Sequence, residues 1–308
     1  MAAIIVSKSR YRRADCADSY LGAALIIVGT LYLVSTPIGN LEDISARGLR
    51  VLGQAGLIAA EDTRRTRKLL DHYHIKNQVV SYHEHNKLRK LDKVLTALSQ
   101  GDVALVSDAG TPVLNDPGYE LVKAVLEAGY DVSPIPGPSA PLAALVASGL
   151  PSDAFLYLGY LPRKSKERCS LLSDVADLSY TLIFLETPHR LLSAFKDLQE
   201  ILGDRTIAVG RELTKLHEEI YRGKISAAYE HFLSQPPRGE FVLVVSGNLT
   251  TPERWSEDQV RALIMKRIET GGTPSGVART VSSLSGWPRR EVYNLVNEIR
   301  SNDSGGQL

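Results

Sequence analysis

The stretch Leu31-Tyr-Leu-Val-Ser-Thr-Pro-Ile-Gly-Asn-Leu-Glu-Asp43 decides the fold that this sequence predicts. Its apolar first half indicates a short buried strand, which ends at Thr36-Pro37 because proline removes a backbone donor. Gly39 tolerates a positive φ angle and lets the chain turn, and a helix is predicted to begin near Asp43. In open α/β sheets, ligands bind where a strand stops in this way before a helix.

The same pattern of an apolar strand followed by a Gly/Pro turn occurs twice more. It is found in Val103-Ala-Leu-Val-Ser-Asp-Ala-Gly-Thr-Pro112 and in Val132-Ser-Pro-Ile-Pro-Gly-Pro-Ser-Ala140. Each copy alone is compatible with an ordinary loop between a strand and a helix. The three copies together predict one shared ligand site at the ends of their strands.

Alternating strand and helix patterns predict an α/β protein with two α/β domains and a small helical domain. We expect the first α/β domain over residues 30–153, with a mainly parallel sheet, and the second over 154–249. Residues 250–308 predict three helices that resemble a helix-turn-helix, followed by a polar tail.

Three local features refine this organisation. Asp116-Pro117 predicts a helix start with Asp116 as the N-cap, and Leu158–Pro162 is the predicted hinge between the α/β domains. Residues 1–29 carry arginines ahead of an apolar run whose second half belongs to the first strand. We interpret them as a poorly ordered extension and not as a membrane span.

The composition is that of a folded protein without a disulfide framework. The chain has 308 residues, of which 44% are hydrophobic and 23% are charged. Two cysteines, Cys16 and Cys169, favour a reducing, cytosolic compartment and no metal site. Although the net charge is only +1, basic residues form three clusters, which are candidates for contact with a polyanion or simply solvated surface. They are Arg64, Arg65, Arg67 and Lys68; Lys87, Arg89, Lys90 and Lys93; and Arg163, Lys164, Lys166 and Arg168.

Several common site motifs are absent from the sequence. It has no G-x-G-x-x-G after the first strand, no phosphate loop, no H-E-x-x-H and no G-x-S-x-G, which argues against dinucleotide, zinc and serine-hydrolase sites. Polar groups instead follow the predicted strands. Residues 107–112 offer a carboxylate, hydroxyls and amides suited to a ribose or amino-acid part of a ligand. In the second domain, charged groups at 187–190, 211–215 and 238–240 fit either a site or a salt-bridged interface.

Eight ordered motifs make the chain similar to the tetrapyrrole methylase superfamily and, within it, to the bacterial ribosomal RNA small-subunit methyltransferase I branch. The similarity covers Leu31 to about Asn248, and the helical tail also resembles that branch, whereas the N-terminal extension departs from it. The motifs are Val34-Ser-Thr-Pro-Ile-Gly-Asn-Leu-Glu-Asp43, Ala59-Ala-Glu-Asp-Thr-Arg64, Val106-Ser-Asp-Ala-Gly-Thr-Pro112, Asn115-Asp-Pro-Gly118, Pro136-Gly-Pro138, Gly149-Leu-Pro-Ser-Asp153, Thr187-Pro-His-Arg190 and Arg211-Glu-Leu-Thr-Lys215.

This resemblance implies methylation of a cytidine ribose 2′-hydroxyl in the decoding region of 16S rRNA, with S-adenosylmethionine as methyl donor. It also implies a homodimer, no metal, and a fold of two α/β domains of tetrapyrrole-methylase type with the cofactor in the inter-domain cleft. The implied cofactor-binding residues are Pro37, Asp108, Gly110, Thr111, Val113, Ser139, Ala140, Tyr160, Leu161, Glu212, Leu213 and Gly239.

A base, or a group that orients the sugar hydroxyl, would help the implied reaction by about 10²–10⁴-fold. Our candidates are Glu61 and Asp62 beside Arg64, which can also bind a phosphate; a structural ion pair with Arg64 is the alternative. His83 and His85 are further candidates, with placement on the surface as the alternative. The basic clusters would then face RNA and bind its backbone. The residues assigned to this role are Arg65, Arg67, Lys68, Lys87, Arg89, Arg163, Lys164 and Lys166.

Two other functions compete with this hypothesis. A corrin or porphyrin C-methyltransferase would share the fold, but it would not need the arginine-rich segment 61–68 or the C-terminal helices. A non-catalytic RNA-binding protein of ribosome assembly predicts broken cofactor turns. The turns at 108–112 and 136–139 are intact, which favours the methyltransferase.

Overall fold

The computed structural model describes residues 29–83, 87–234, 236–249 and 255–304. The predicted N-terminal extension therefore lies outside the described residues, except for Gly29. Packing divides the chain into two compact units. The first runs up to Pro37 and from Leu41 to Pro138, and the second contains Ile38–Asn40 and the chain from Ser139 onward.

The first unit contains a parallel sheet with the strand order β3-β2-β4-β1-β5. Because β4, β1 and β5 are neighbours and parallel, the carboxyl ends of the three strands that precede Gly/Pro turns lie at the same edge. This confirms that part of the sequence prediction. The elements are β1 (Thr30–Val34), a 3₁₀ turn (Leu41–Asp43), α1 (Ala46–Gln54), β2 (Leu57–Ala60), α2 (Thr63–His72), β3 (Val79–Ser81), α3 (Lys87–Leu98), β4 (Val103–Val106), α4 (Tyr119–Glu127) and β5 (Asp131–Ile135).

Both faces of this parallel sheet are covered by helices. Ile58 faces α1 and α2, where it packs with residues such as Leu52 and Leu70. The neighbouring Leu57 belongs to the opposite face, where Leu98 and Leu121 come from α3 and α4. A strand buried on both faces reads as a continuous apolar run, which is why β2 and β4 show no alternation of polar and apolar residues.

The second unit contains a mixed sheet with the strand order β6-β7-β10-β8-β9. Only β6 and β7 are parallel, and the other neighbouring pairs are antiparallel. The strands and helices follow one another along the chain from Ala140 to Val245. They are α5 (Ala140–Ser148), β6 (Phe155–Tyr160), α6 (Ser165–Val175), β7 (Thr181–Glu186), α7 (Pro188–Leu202), β8 (Thr206–Arg211), β9 (Glu219–Lys224), α8 (Ile225–Ser234) and β10 (Phe241–Val245).

The boundary between the units differs from the one expected at residue 153. Ala144 and Leu145 of α5 pack with Ile183 of β7 and Val244 of β10, so this helix belongs to the second sheet. The predicted hinge at residues 158–162 is also wrong, because its first part continues β6. The register of β6 against β7 shifts between Tyr157 and Tyr160.

The C-terminal region forms the three predicted helices, α9 (Glu257–Glu269), α10 (Pro274–Ser285) and α11 (Arg289–Ser304). They share a core of their own, to which Ile264, Val281 and Val296 contribute. Gly286 ends α10 in the left-handed region with φ of 68°. Among the helices of the described ranges, none combines the length and the apolar character needed to cross a membrane.

Candidate active site

A short backbone bridge joins the ends of β1 and β4. The amides of Thr36 and Gly110 each donate to the carbonyl of the other residue at 2.9 Å. Gly110 adopts a φ angle of 81°, which a residue without Cβ tolerates. The Thr36 hydroxyl also donates to the Ser107 carbonyl at 3.2 Å. The turn after β4 is therefore held against the turn after β1.

Thr111 connects these two turns to the turn after β5. Its hydroxyl oxygen lies 3.2 Å from the Ser35 hydroxyl and donates to the Pro138 carbonyl at 3.3 Å. The Ser35 amide donates to the Ile135 carbonyl at 3.3 Å. The three turns that the sequence singled out are thus linked by hydrogen bonds within the first unit.

A cavity of about 170 Å³ opens beside these turns. It contains two of the predicted cofactor-binding residues, Pro37 and Asp108. Typical small-molecule sites measure roughly 300–1,000 Å³, so this cavity suits one part of a cofactor-sized ligand. Its lining mixes apolar and polar groups from Thr36, Pro37, Leu41, Arg65, Thr66, Lys68, Leu69, Ser107 and Asp108.

Asp108 joins the end of β4 to the end of β2. Its Oδ1 accepts from the Asp62 amide at 2.9 Å, and its own amide donates to Glu61 Oε2 at 3.3 Å. Arg65 Nη1 lies 3.4 Å from Asp108 Oδ2. The fold therefore brings Glu61 and Asp62 together with Asp108, although they are far apart in the sequence.

Asp62 is the N-cap of α2 and a partner of Arg64. Its Oδ1 accepts from the Arg64 amide at 2.8 Å, and its Oδ2 lies 2.8 Å from Arg64 Nη2. The hydrogen bonds from Arg64 hold the pKa of Asp62 well below its ordinary value. Asp62 is consequently a weak base, and the ion pair with Arg64 that the sequence left open is present. The Arg64 side chain remains largely exposed, so a phosphate can reach its guanidinium group.

Asp116 does not cap a helix as predicted. Val113 and Asn115 have φ angles of 75° and 66°, and α4 begins only at Tyr119 with Gly118 as its N-cap. Burial, together with the negative charge of Glu61, raises the pKa of Asp116 to about 6. Sequence reasoning missed this carboxyl because an Asp-Pro pair is also a common helix start.

In the second unit, Glu212 and Gly239 lie where β8 and β10 meet. The Glu212 amide donates to the Glu240 carbonyl at 3.0 Å, and Glu212 Oε1 accepts from the Glu240 amide at 2.9 Å. Lys215 Nζ donates to the same Oε1 at 2.9 Å. Burial acts to raise the pKa of Glu212, but the hydrogen bonds from Lys215 and Glu240 outweigh it and lower the pKa.

The remaining predicted cofactor-binding residues of the second unit fall into two places. Ala140 packs in the same apolar cluster as Leu213, and Ser139 is the N-cap of α5. Tyr160 ends β6 with 53% of its surface exposed, whereas Leu161 is only 1% exposed. The backbone and the side chain of Leu161 are therefore both covered by the protein.

The basic residues divide into exposed and buried ones. Arg65, Arg67 and Lys68 are exposed on α2, and Arg163, Lys164 and Lys166 are exposed around the start of α6. The side chains of Lys87, Arg89 and Lys90, and the whole of His85, lie outside the described residues. Arg168 was placed on the RNA-facing surface in error: its side chain is 3% exposed and paired with Asp197.

The protein matches a known family over most of its α/β units. Residues 30–229 fit the family described as Tetrapyrrole (Corrin/Porphyrin) Methylases. Relatives named "Ribosomal RNA small subunit methyltransferase I" include one from Synechocystis sp., 44% identical over 89% of this chain and 99% of its own. Another, from Thermotoga maritima, is 47% identical over 71% of this chain and 99% of its own. The protein therefore belongs to the tetrapyrrole methylase family, in its ribosomal RNA small subunit methyltransferase I branch.

Solved structures support the fold. Uroporphyrin-III-C-methyltransferase from Thermus thermophilus has a TM-score of 0.50 and 23% identity, over 71% of this chain and 94% of that one. Diphthine synthase has a TM-score of 0.53 and 16% identity, over 71% of this chain and 90% of that one. Another structure of the Thermus thermophilus enzyme contains S-adenosyl homocysteine. Because the names of these proteins indicate different substrates, the fold alone does not define the substrate.

Proposed function

We propose that the protein transfers a methyl group from S-adenosylmethionine to the 2′-hydroxyl of a cytidine in the decoding region of 16S rRNA. The observation that carries this proposal is the set of three linked turns after β4, β1 and β5, with Asp108 and its cavity beside them. The branch to which the chain belongs supports ribosomal RNA as substrate. The choice of a cytidine, and of its 2′-oxygen as the methylated atom, is the more specific part of the proposal.

The residues of the first unit fit part of such a cofactor. A carboxylate such as Asp108 accepts hydrogen bonds from ribose hydroxyls or from an ammonium group, and backbone amides in the turn at 110–113 can donate to a carboxylate. Pro37 and Leu69 give the cavity its apolar surface. In the second unit, Ser139, Tyr160 and Leu161, together with Glu212 and Gly239, are proposed to contact the cofactor as well.

S-adenosylmethionine, when bound, supplies an electrophilic methyl group on a positively charged sulfur. The contribution of the protein is first to hold the attacking oxygen in line with that methyl group. Such positioning contributes on the order of 7–11 kcal/mol to lowering a barrier. The turns joined through Thr36, Gly110 and Thr111 are fixed by hydrogen bonds within the protein, as positioning requires.

The second contribution is the acceptance of the proton that leaves the ribose hydroxyl. Among the predicted bases, Glu61 suits this role better than Asp62, whose pKa is lowered by Arg64. Asp116, with its pKa near 6, is a second suitable acceptor. Arg64 is proposed to hold a phosphate of the RNA next to these carboxylates.

The third contribution is binding of the RNA backbone. Arg65, Arg67 and Lys68 add exposed positive charge to α2 beside the cavity, and Arg163, Lys164 and Lys166 do so in the second unit. Contacts of this kind neutralise phosphates without reading bases. Position on the ribosomal subunit would therefore be set by RNA shape. We also propose that the protein acts as a homodimer in the cytoplasm.

The product of the reaction tests this proposal. Small ribosomal subunits that lack the modification are incubated with S-adenosylmethionine labelled in its methyl group, and the RNA is digested to nucleosides. We expect label in 2′-O-methylcytidine. Label in a base, or on a porphyrinogen offered in parallel but not on RNA, would contradict the proposal and favour the tetrapyrrole alternative.

A further inference from the structure

Three consecutive carbonyl groups just after β6 are held by two arginine side chains. Arg190 Nη1 donates to the Leu161 carbonyl at 3.1 Å. Arg168 Nη1 donates to the Pro162 carbonyl at 3.1 Å and to the Arg163 carbonyl at 3.4 Å. Because the two arginines come from α7 and α6, this short segment is tied to two separate helices.

Each arginine is in turn held by a buried carboxylate. Arg190 Nη2 lies 2.6 Å from Glu186 Oε1, and the Glu186 side chain is fully buried. Arg168 Nε donates to Asp197 Oδ2 at 2.6 Å, and Ser165 donates to the same oxygen at 3.0 Å. We call Arg168, Arg190, Glu186 and Asp197 the arginine brace.

Stability alone gives little reason for this arrangement. A buried ion pair loses so much hydration that well-packed apolar side chains are often equally stabilising. The planar guanidinium group, by contrast, can donate in two fixed directions at once, which an apolar side chain cannot do. In the brace, one direction meets a carboxylate and the other a backbone carbonyl, so the arrangement fixes the path of the chain.

The chain needs fixing at this point because the strand is irregular there. The pairing of β6 with β7 shifts register between Tyr157 and Tyr160, and Gly159 has a φ angle of 66°. After the bulge, the Leu161 amide donates to the Leu185 carbonyl at 3.3 Å. The brace therefore holds the first residues beyond a bulge, next to the exposed ring of Tyr160.

We infer that Arg190 and Arg168 are positioning residues for cofactor binding, and that they act through the carbonyls of Leu161, Pro162 and Arg163. This inference rests on the proposed function, in which the segment that begins with the exposed Tyr160 contacts S-adenosylmethionine. In this inference the arginines act only through the backbone groups to which they donate. Their role is to keep the segment in the conformation that binds it.

The test compares Arg190→Lys with Arg205→Lys. Lysine keeps the positive charge beside Glu186 but cannot also donate to Thr187 and to the Leu161 carbonyl, as Arg190 does. Arg205 is a matched control, since it donates to the carbonyls of Leu202, Ala176 and Ser246 at the other end of the sheet. Both substitutions remove arginine bonds to carbonyls, but only one affects the segment.

Three quantities are measured for each variant. They are the Kd for S-adenosylmethionine by calorimetry, the midpoint of thermal unfolding, and the rate of hydrogen exchange of the amides in residues 160–166. For Arg190→Lys we expect a Kd raised at least fivefold and faster exchange in the segment, with kcat at saturating cofactor within twofold of wild type. For Arg205→Lys we expect a similar loss of thermal stability and an unchanged Kd. Arg168→Lys, if it folds, should behave like Arg190→Lys.

Two outcomes would overturn the inference. One is an unchanged Kd in Arg190→Lys while the segment exchanges faster, which would make the brace purely structural. The other is an equal rise of Kd in Arg205→Lys, which would reflect general loosening of the unit. If wild-type protein binds no S-adenosylmethionine at all, the proposed function fails first and the inference fails with it; the first two outcomes leave the proposed function intact.

Discussion

The polar residues at the strand ends of the two units are arranged differently. In the first unit, Glu61, Asp108 and Asp116 lie close enough for the charge of one to affect another, and Asp116 has a raised pKa. The first unit also has ion pairs, of Asp62 with Arg64 and of Asp108 with Arg65, but in the second unit three carboxylates near the strand ends are each matched with a cation. Glu212 pairs with Lys215, Glu186 with Arg190, and Asp197 with Arg168.

This difference indicates a division of work between the units. Asp116, whose pKa is raised by burial and by the charge of Glu61, keeps affinity for a proton and can take part in proton transfer. The carboxylates of the second unit hold neighbouring groups in place: Glu212 accepts from the Glu240 amide, and Glu186 and Asp197 pair with the arginines that donate to backbone carbonyls. The first unit is therefore suited to chemistry, and the second to holding the backbone in a defined conformation.

The largest effect on stability is expected for Gly239→Ala, which tests how tightly the second unit is fixed. A Cβ atom at Gly239 would overlap the Glu212 carboxyl group, and the φ angle of 92° is strained for alanine. We expect a loss of about 2–4 kcal/mol in urea unfolding, from backbone strain and overpacking together.

Gly149→Ala is the matched control for that substitution. Gly149 also has a positive φ, of 77°, but a Cβ there would meet nothing within 4 Å. Gly149→Ala should lower the free energy of unfolding by only about 1–2 kcal/mol, because it adds backbone strain without a steric overlap. Equal losses in the two variants would show that the Glu212 side chain is free to move aside and that the turn is not tightly fixed.

A smaller effect, of opposite sign, is expected for Asp116→Asn in the first unit. Because burial and the charge of Glu61 raise the pKa of Asp116 to about 6, the protonated carboxyl is favoured in the folded state. Its stabilising contribution is complete below pH about 4 and is lost as the pH rises through about 6. Since asparagine cannot ionise, the variant should be more stable than wild type at pH 8, by about 1–2 kcal/mol after allowance for solvent screening.

Glu212→Gln is the control for the pH dependence, since the pKa of Glu212 is lowered and not raised. Its stabilising contribution is present at neutral pH and is lost as the pH falls through its folded-state pKa. The free energy of unfolding of each variant is measured in urea at pH 4 and at pH 8 and compared with that of wild type. At pH 8, Asp116→Asn should be more stable than wild type and Glu212→Gln less stable. Destabilisation by Asp116→Asn at pH 8 would contradict the comparison between the units.

Local sequence patterns were sufficient to predict most of the fold. Strand ends marked by proline and glycine identified the edge of the first sheet that carries the linked turns. The helix at 140–148 was not assigned to the correct sheet, because it is apolar over most of its surface and its sequence does not indicate which sheet it covers. Its packing depends on β7, β8 and β10, which come later in the chain.

The candidate site was predictable in composition but not in charge state. Arg168 belongs to a basic cluster in the sequence, yet its partner Asp197 is 29 residues away and visible only after folding. Likewise, Asp116 looks like a helix cap, and its proximity to Glu61 follows from the positive φ angles between Thr111 and Gly118. Effects of this kind come from tertiary contacts, which local patterns do not encode.

The most direct test of the account is the affinity of S-adenosylmethionine for wild type, Asp108→Asn and Asp108→Ala, measured by calorimetry on folded protein. Asparagine keeps an oxygen that can accept from the Asp62 amide, whereas alanine removes both the acceptor and the charge. We predict a Kd raised about tenfold or more by alanine and less by asparagine, in line with the loss of a hydrogen bond to a charged group. Unchanged affinity in a folded Asp108→Ala variant would contradict the claim that the linked turns of the first unit bind the cofactor.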